Sequence, residues 1–305
     1  MKTNNNLLVI FIFICWGTTI GLAQSSADAS ATGISRAFNP AISVNCLFDG
    51  MASDKSAPIW DEAGLKPGLH YQEVSLEMTS NVDVYLQSKV TIAAEEESGL
   101  EVEEAYLTTL RMPIPVTIRG GKMLNSFGRH NLYHLHHMAF AEVPMILEQV
   151  FGPDLNETGI EASYFLPFDW YSDFTFGFLN GDNPYLFNSA KQEDFAYLFH
   201  LDNLYDLTDE ICVRLGGSYL LGERGLSYPD ESAVPVKADT TSISSHVWGV
   251  DFHLKWKPLQ FGRYRTFILQ GEYVNSKLSI NNKFTKPLHG FFVQGLYKFN
   301  LNWWL

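Results

Sequence analysis

Apolar and polar residues alternate with period two along most of this chain. In HVWGVDFHLKW, Trp248, Val250, Phe252, Leu254 and Trp256 share one face of an extended backbone, while Gly249, Asp251, His253 and Lys255 share the other. SDFTFGF sets Phe174, Phe176 and Phe178 against Asp173, Thr175 and Gly177, and FAYLFHLD sets Phe195, Tyr197, Phe199 and Leu201 against His200 and Asp202. ICVRLGGSYLL repeats the pattern, with Ile211, Val213, Leu215, Tyr219 and Leu221 opposite Cys212, Arg214, Gly216 and Ser218. This periodicity predicts twelve strands, at about 40–49, 69–80, 81–95, 100–110, 115–127, 158–167, 171–180, 194–206, 209–221, 244–257, 263–276 and 287–299.

The connections alternate in length. SNVD, RMPIP, PFDWY, DLTDE and KPLQFG are short turns, whereas 50–68, 128–157, 181–193, 222–243 and 277–286 are long; 96–99 is the exception. Short turns on one rim and long loops on the other are the pattern of an antiparallel transmembrane β-barrel, and a soluble sandwich has no reason to keep it. Tyr164, Trp170, Tyr171, Trp248, Trp256, Tyr264, Tyr273 and Tyr297 stand near strand ends, where aromatic girdles form. The rival readings are an exported carbohydrate-binding β-sandwich and a barrel that carries an enzyme site on its rim. The fourth strand breaks the phase: with Val102, Tyr106, Thr108 and Leu110 on one face, Glu104 would point outward unless a bulge intervenes or the residue lies at the rim.

Composition fits the barrel. Charged residues are 18% and aromatics 14%, against about 25% charged in average soluble domains. Lys2, the apolar run Leu7 to Ile20, and Gly21 and Ala23 before Gln24 read as a signal peptide over 1–23. Residues 24–37, rich in Ser and Ala, read as disordered, and 38–305 as the barrel. Cys46 and Cys212 remain after cleavage and do not form a disulfide framework. A net charge of −13 excludes nucleic acid as a natural partner. The partners expected are outer-membrane lipid and small solutes or ions, with a homo-oligomer left open.

If the apolar faces meet lipid, the opposite faces line a lumen. Glu73, Glu77, Asp83, Glu101, Glu103, Glu161, Asp173, Asp202, Asp251 and Glu272 then face inward with Lys89, Arg119, Arg214, His253, Lys255 and Lys298. The acidic excess points to cations or neutral solutes, and a salt-bridged wall with little selectivity is the equal alternative.

The long connection GRHNLYHLHHMAFAEVP carries His130, His134, His136 and His137. Imidazole is a common ligand for zinc, so His134, His136 and His137 with Glu142 are candidate metal ligands, and zinc is the candidate ion. Arg129, Asn131 and His134 could instead anchor the loop to acidic wall residues, because no closed spacing such as H-E-x-x-H is present. AEVPMILEQV predicts a short helix from near Pro144. No nucleophile elbow, phosphate-binding glycine loop or Cys-x-x-Cys appears, so the reading is not an enzyme and needs no cofactor other than that candidate zinc.

The order of NPAISVNCLFDG, VEEAYLTTL, GKMLNSFGRHN with His134 and His136, FGFLNGDN and VDFHLKWKPL resembles a porin-like outer-membrane family of Gram-negative bacteria. Its members are often labelled zinc-regulated TonB-dependent outer-membrane receptors and are similar to phosphate-selective porins. The resemblance runs from about residue 38 to the last residue and implies a channel, located in the outer membrane. The family pattern Pro-Phe-x-Asp-Arg-Pro after the histidines is replaced here by Ala139, Phe140, Ala141, Glu142, Val143 and Pro144. Family members continue for about a hundred residues beyond the NWW segment, implying about sixteen strands, so the chain reads as truncated at its C-terminus. A gated receptor would need a plug within a barrel of about 22 strands, which roughly 280 mature residues cannot supply.

Overall fold

The computed structural model describes residues 40–51, 68–95, 99–140, 142–187, 194–223, 243–280, 283–284 and 287–305. The expected signal peptide and the 24–37 segment lie outside the described residues, as do most of the connections 50–68 and 222–243.

The protein is all-β. Twelve long strands follow the alternating segments: β1 (Ala41–Met51), β2 (Gly68–Asn81), β3 (Leu86–Glu95), β4 (Gly99–Thr109), β5 (Val116–Leu124), β6 (Asn156–Phe165), β7 (Tyr171–Leu179), β8 (Ala196–Thr208), β9 (Ile211–Glu223), β10 (Ile243–Trp256), β11 (Thr266–Ile280) and β13 (Leu288–Asn300). Two-residue pieces, β12 (Lys283–Phe284) and β14 (Trp303–Trp304), pair with β11 and β13. Each long strand pairs antiparallel with its sequence neighbour, so one sheet runs from β1 to β14 without a crossover. Among the described residues no ladder joins β1 to the β13–β14 edge. A sandwich needs two packed sheets, and this single meander removes that reading.

The two faces have inverted polarity. On β10, Trp248 and Val250 are exposed on the outer face, whereas Ser245, Asp251 and His253 are buried on the inner one. On β7 and β13, Phe174, Phe176, Phe178, Phe291 and Val293 are likewise exposed. Cross-strand partners share a face, so Asp251 opposite Glu272 and His253 opposite Gln270 extend the polar inner wall.

The β4 irregularity is a bulge. Thr91 pairs with Glu104 but Ile92 pairs with Val102, leaving Glu103 as the extra residue. Glu104 is buried on the inner face, which also turns Tyr106 and Thr108 inward and Leu107 outward, the reverse of the expected phase. Tyr106 accordingly lies under the Arg119 guanidinium, 5.8 Å from ring centroid to Cζ.

A hydrophobic core sits inside the sheet's curl. The connection between β5 and β6 folds inward and contains two 3-10 turns (His130–Leu132 and Leu135–His137) and a helix, α1 (Met145–Phe151). Pro144 precedes α1, and Ile146, Leu147, Val150 and Phe151 form its buried stripe. That stripe packs with Phe127, Leu155 and Phe187 against Leu179, Leu198, Leu220, Val247 and Val274 of the inner wall. Each such side chain contributes about 1.5–3 kcal/mol when fully buried. The inner wall is therefore apolar where α1 packs and polar elsewhere, including under the first part of the loop. No helix among the described residues is long and apolar enough to cross a membrane.

Candidate functional site

The candidate site is the inward loop, residues 125–155, and the wall it docks on. Its neck is closed by Asn131, whose Nδ2 donates to the carbonyls of Asn125 (2.8 Å) and Leu155 (2.9 Å) while its Oδ1 accepts from the Leu155 N–H at 2.7 Å. Asn131 is buried, so these bonds satisfy an amide that would otherwise be costly to bury.

Docking uses wall carboxylates as acceptors. Glu161, 1% exposed, accepts from Arg119 Nη2 (2.5 Å), Asn125 Nδ2 (3.2 Å), the Ser126 N–H (3.0 Å) and Ser126 Oγ (2.8 Å). Glu272 Oε1 accepts the Arg129 and His130 N–H groups at 2.8 and 2.5 Å. Gly128 makes this approach feasible: its φ is +59°, and a Cβ there would lie 2.6 Å from Glu272 Oε2. The Gly128 N–H donates to Ser218 Oγ, which is 2.8 Å from His200 Nδ1. Glu157 performs the same service for a second connection, accepting the Gly181 and Asn183 N–H groups.

The histidines face the opposite side of the wall. His134 Nε2 lies 2.8 Å from Glu104 Oε2, and its Nδ1 is 3.3 Å from Glu103 Oε2. Burial would lower the pKa of His134, but the contacts with Glu103 and Glu104 outweigh it and push it up to about 9. His136 Nε2 is 3.4 Å from Asn45 Nδ2, which only donates, so that nitrogen accepts and Nδ1 carries the proton toward Glu73 Oε1, also at 3.4 Å. The His134 and His136 rings stack at 5.6 Å, and His137 lies 4.2 Å from His136. His130 packs edge-on against Phe292, and burial alone lowers its pKa to about 4. Glu142 is exposed.

The structure therefore brings His134, His136 and His137 together, with His134 and His136 turned toward wall carboxylates and His137 lining the space beside the loop. Zinc needs a free imidazole lone pair, and His134 presents both nitrogens to carboxylates.

The predicted wall residues divide into groups. Asp83 is not on the wall: it lies in the β2–β3 turn, where its Oδ1 accepts the Tyr85 and Leu86 N–H groups. Glu101 keeps inner-face register opposite Ala93 but is exposed toward the strand end. Glu77 is half-buried and pairs with Lys89 at 3.4 Å; Lys89 also reaches Glu104 at 2.8 Å. Arg214 grips Asp202 through two nitrogens, Nε at 2.6 Å and Nη2, beside Asp173, and Asp251 is buried against Gly216. Glu73, Glu103 and Glu272 lie beneath the loop rather than open to the lumen.

A cavity of about 210 Å³ lies between the loop and β10, β11 and β13. Arg129, His137, His253, Lys255, Gln270 and Gln294 are among its lining residues, and none of the lining residues is a carboxylate. Arg129 Nε is buried without a hydrogen-bond partner, and the guanidinium lies over Tyr133 at 5.5 Å. The acidic excess counted along the strands does not describe this space, because most of those carboxylates are engaged by the loop or by wall cations. Sequence reasoning missed Glu157 as an acceptor and did not place Glu104 inside; it named Arg129 only as a loop anchor and Ser218 only as a polar-face residue. Only Glu104 gave a signal, through its break in phase.

No family model matches the chain. A protein of Aquifex aeolicus (strain VF5), described as uncharacterized, is 26% identical over 282 residues, covering 86% of this chain and 57% of that protein; the chain thus spans little more than half its relative's length. Among solved structures, the chain is similar to OmpT, an outer membrane protein of Vibrio cholerae in trimer form, with TM-score 0.37 and 11% identity over 85% of this chain and 89% of that one. It is also similar to the outer membrane channel DcaP of Acinetobacter baumannii, with TM-score 0.32 and 11% identity over 85% and 96%. Likenesses this distant transfer no role, and nothing in these comparisons supports the zinc-regulated receptor label.

Proposed function

We propose that the protein is a channel in the outer membrane of a Gram-negative bacterium, passing small solutes or ions through a lumen narrowed by the 125–155 loop. The observation that carries this reading is the loop itself, held inside the curl of the sheet by contacts from β1 to β13. A sheet with an apolar outside and a polar inside is stable where lipid covers the outside. The inward loop then leaves a side passage lined by Arg129, Lys255 and neutral polar groups as the solute path.

The test is electrical. The full chain, refolded into a planar bilayer, should give discrete currents, and replacing residues 129–143 by a short Gly-Ser linker should enlarge them. Heat-modifiable gel mobility verifies that both forms are folded. A folded, inserted protein that passes no current would refute the channel; equal currents from both forms would refute the constriction.

A further inference from the structure

One carboxylate oxygen from each of Glu73, Glu95 and Glu103 lies within 4.8 Å of the others, on the inner faces of β2 and β3 and at the β4 bulge. Like charges so close oppose one another unless a cation or a set of donors compensates. Glu73 is 1% exposed; its Oε1 meets His136, while its Oε2 is buried with no hydrogen-bond donor. Glu103 Oε2 has His134 Nδ1 at 3.3 Å as its one near donor, and that contact is too loose to count as a regular hydrogen bond. The Ser75 hydroxyl, fully buried one step along the same face, lies beside the Glu73 carboxylate and makes no hydrogen bond of regular geometry. Buried carboxylate oxygens in native proteins normally find donors or a metal ion.

From this geometry we propose that Glu73, Glu95 and Glu103 hold a hard divalent cation, with calcium as the fitting size. Oxygen ligands about 2.4 Å from such an ion are separated by at most about 4.8 Å, so the three side chains need little movement to close on it. The nitrogens of His134 and His136 face carboxylates or accept from Asn45, which leaves an all-oxygen site and disfavours zinc. The histidines orient the ligands instead: His136 bonds Glu73, and His134 lies against Glu103. The β4 bulge turns Glu103 inward beside Glu104, so one residue fixes the loop's histidine and the other faces the ion. A bound ion would thereby stiffen the loop's attachment to β2–β4, whatever solute the lumen carries.

Calorimetric titration of the refolded full chain with calcium chloride alone tests the site. Saturable binding of about one ion is expected, with a dissociation constant on the order of 0.1–1 mM. Glu73→Gln, Glu95→Gln and Glu103→Gln should each weaken it by about tenfold or more, while Glu142→Gln should not. Glu103, with its side chain 20% exposed, is more accessible than Glu73, so Glu103→Gln keeps the test alive if Glu73→Gln does not fold. Absence of saturable calcium binding, or affinity unchanged by all three substitutions, overturns the assignment. Zinc binding that is tighter than calcium and abolished by His136→Ala also overturns it.

Discussion

Removing the Glu161 carboxylate should loosen the loop at its first attachment point. Glu161 has four donors, and one of them is Arg119, whose side chain is 23% exposed. Truncation to Ala would leave that guanidinium, the Asn125 amide and the Ser126 N–H without their acceptor. Breaking a buried ion pair from one side costs about 3–5 kcal/mol, and the partial exposure of Arg119 puts the expected loss near the lower end, at about 3 kcal/mol. The double variant Arg119→Met, Glu161→Leu removes both charges and should recover much of that loss, because neither partner then remains buried alone. Denaturant titration of the protein refolded in detergent, read by tryptophan fluorescence, gives the free energies, and single-channel recordings give the conductance and its noise. Glu161→Ala should be less stable and electrically noisier, and the double variant should regain stability without regaining the loop's backbone contact at Ser126. The reasoning fails if Glu161→Ala loses less than about 1 kcal/mol with unchanged noise, or if the double variant is no more stable than the single one.

Acid should release the loop through His130. Its pKa falls from 6.5 unfolded to about 4 folded, so its neutral form is favoured in the native state: stability is full above 6.5 and declines as pH drops toward 4, by up to about 3 kcal/mol. His130→Phe should flatten that acid limb in a pH series of denaturation midpoints, and an unchanged slope would contradict the burial argument. His134 has the opposite sign, since its folded pKa is raised to about 9; its contribution is complete below 6.5 and is lost as pH climbs through 9, so His134→Ala should remove an alkaline limb. Phe252→Arg, on the lipid-facing side, should cost about 2–4 kcal/mol near the midplane, whereas Asp251→Asn should change stability little; equal effects in refolding titrations would reverse the facing assignment. Zinc titration of wild type and of the His134→Ala, His136→Ala pair should give indistinguishable affinities if the histidines anchor, and a specific loss in the pair would restore them as ligands.

The strands were legible because a pleated chain repeats every two residues and a face buried or wetted along its length writes that period into the sequence. Trp248 to Trp256 and Phe174 to Phe178 therefore predicted their own faces, and the lengths of the connections indicated which rim carried the long loops. A strand's period also exposes its own faults, which is why Glu104 signalled the β4 bulge before any contact was known. The period could not say which face Tyr106 would take beyond the bulge, because one inserted residue reverses every later side chain. Nor could it place Asp83, which the β2–β3 turn recruits as an acceptor. The loop's role was decided by tertiary structure alone. Glu272 meets His130 across more than a hundred residues of chain, and His136 meets Glu73 from an unrelated strand. Such pairings follow from how the sheet curls round the loop, and no local pattern encodes that distance. The same is true of charge: a count along the strands found an acidic wall, but only the fold shows which carboxylates the loop engages, and it puts Arg129 and Lys255 in the lining of a cavity beside the loop.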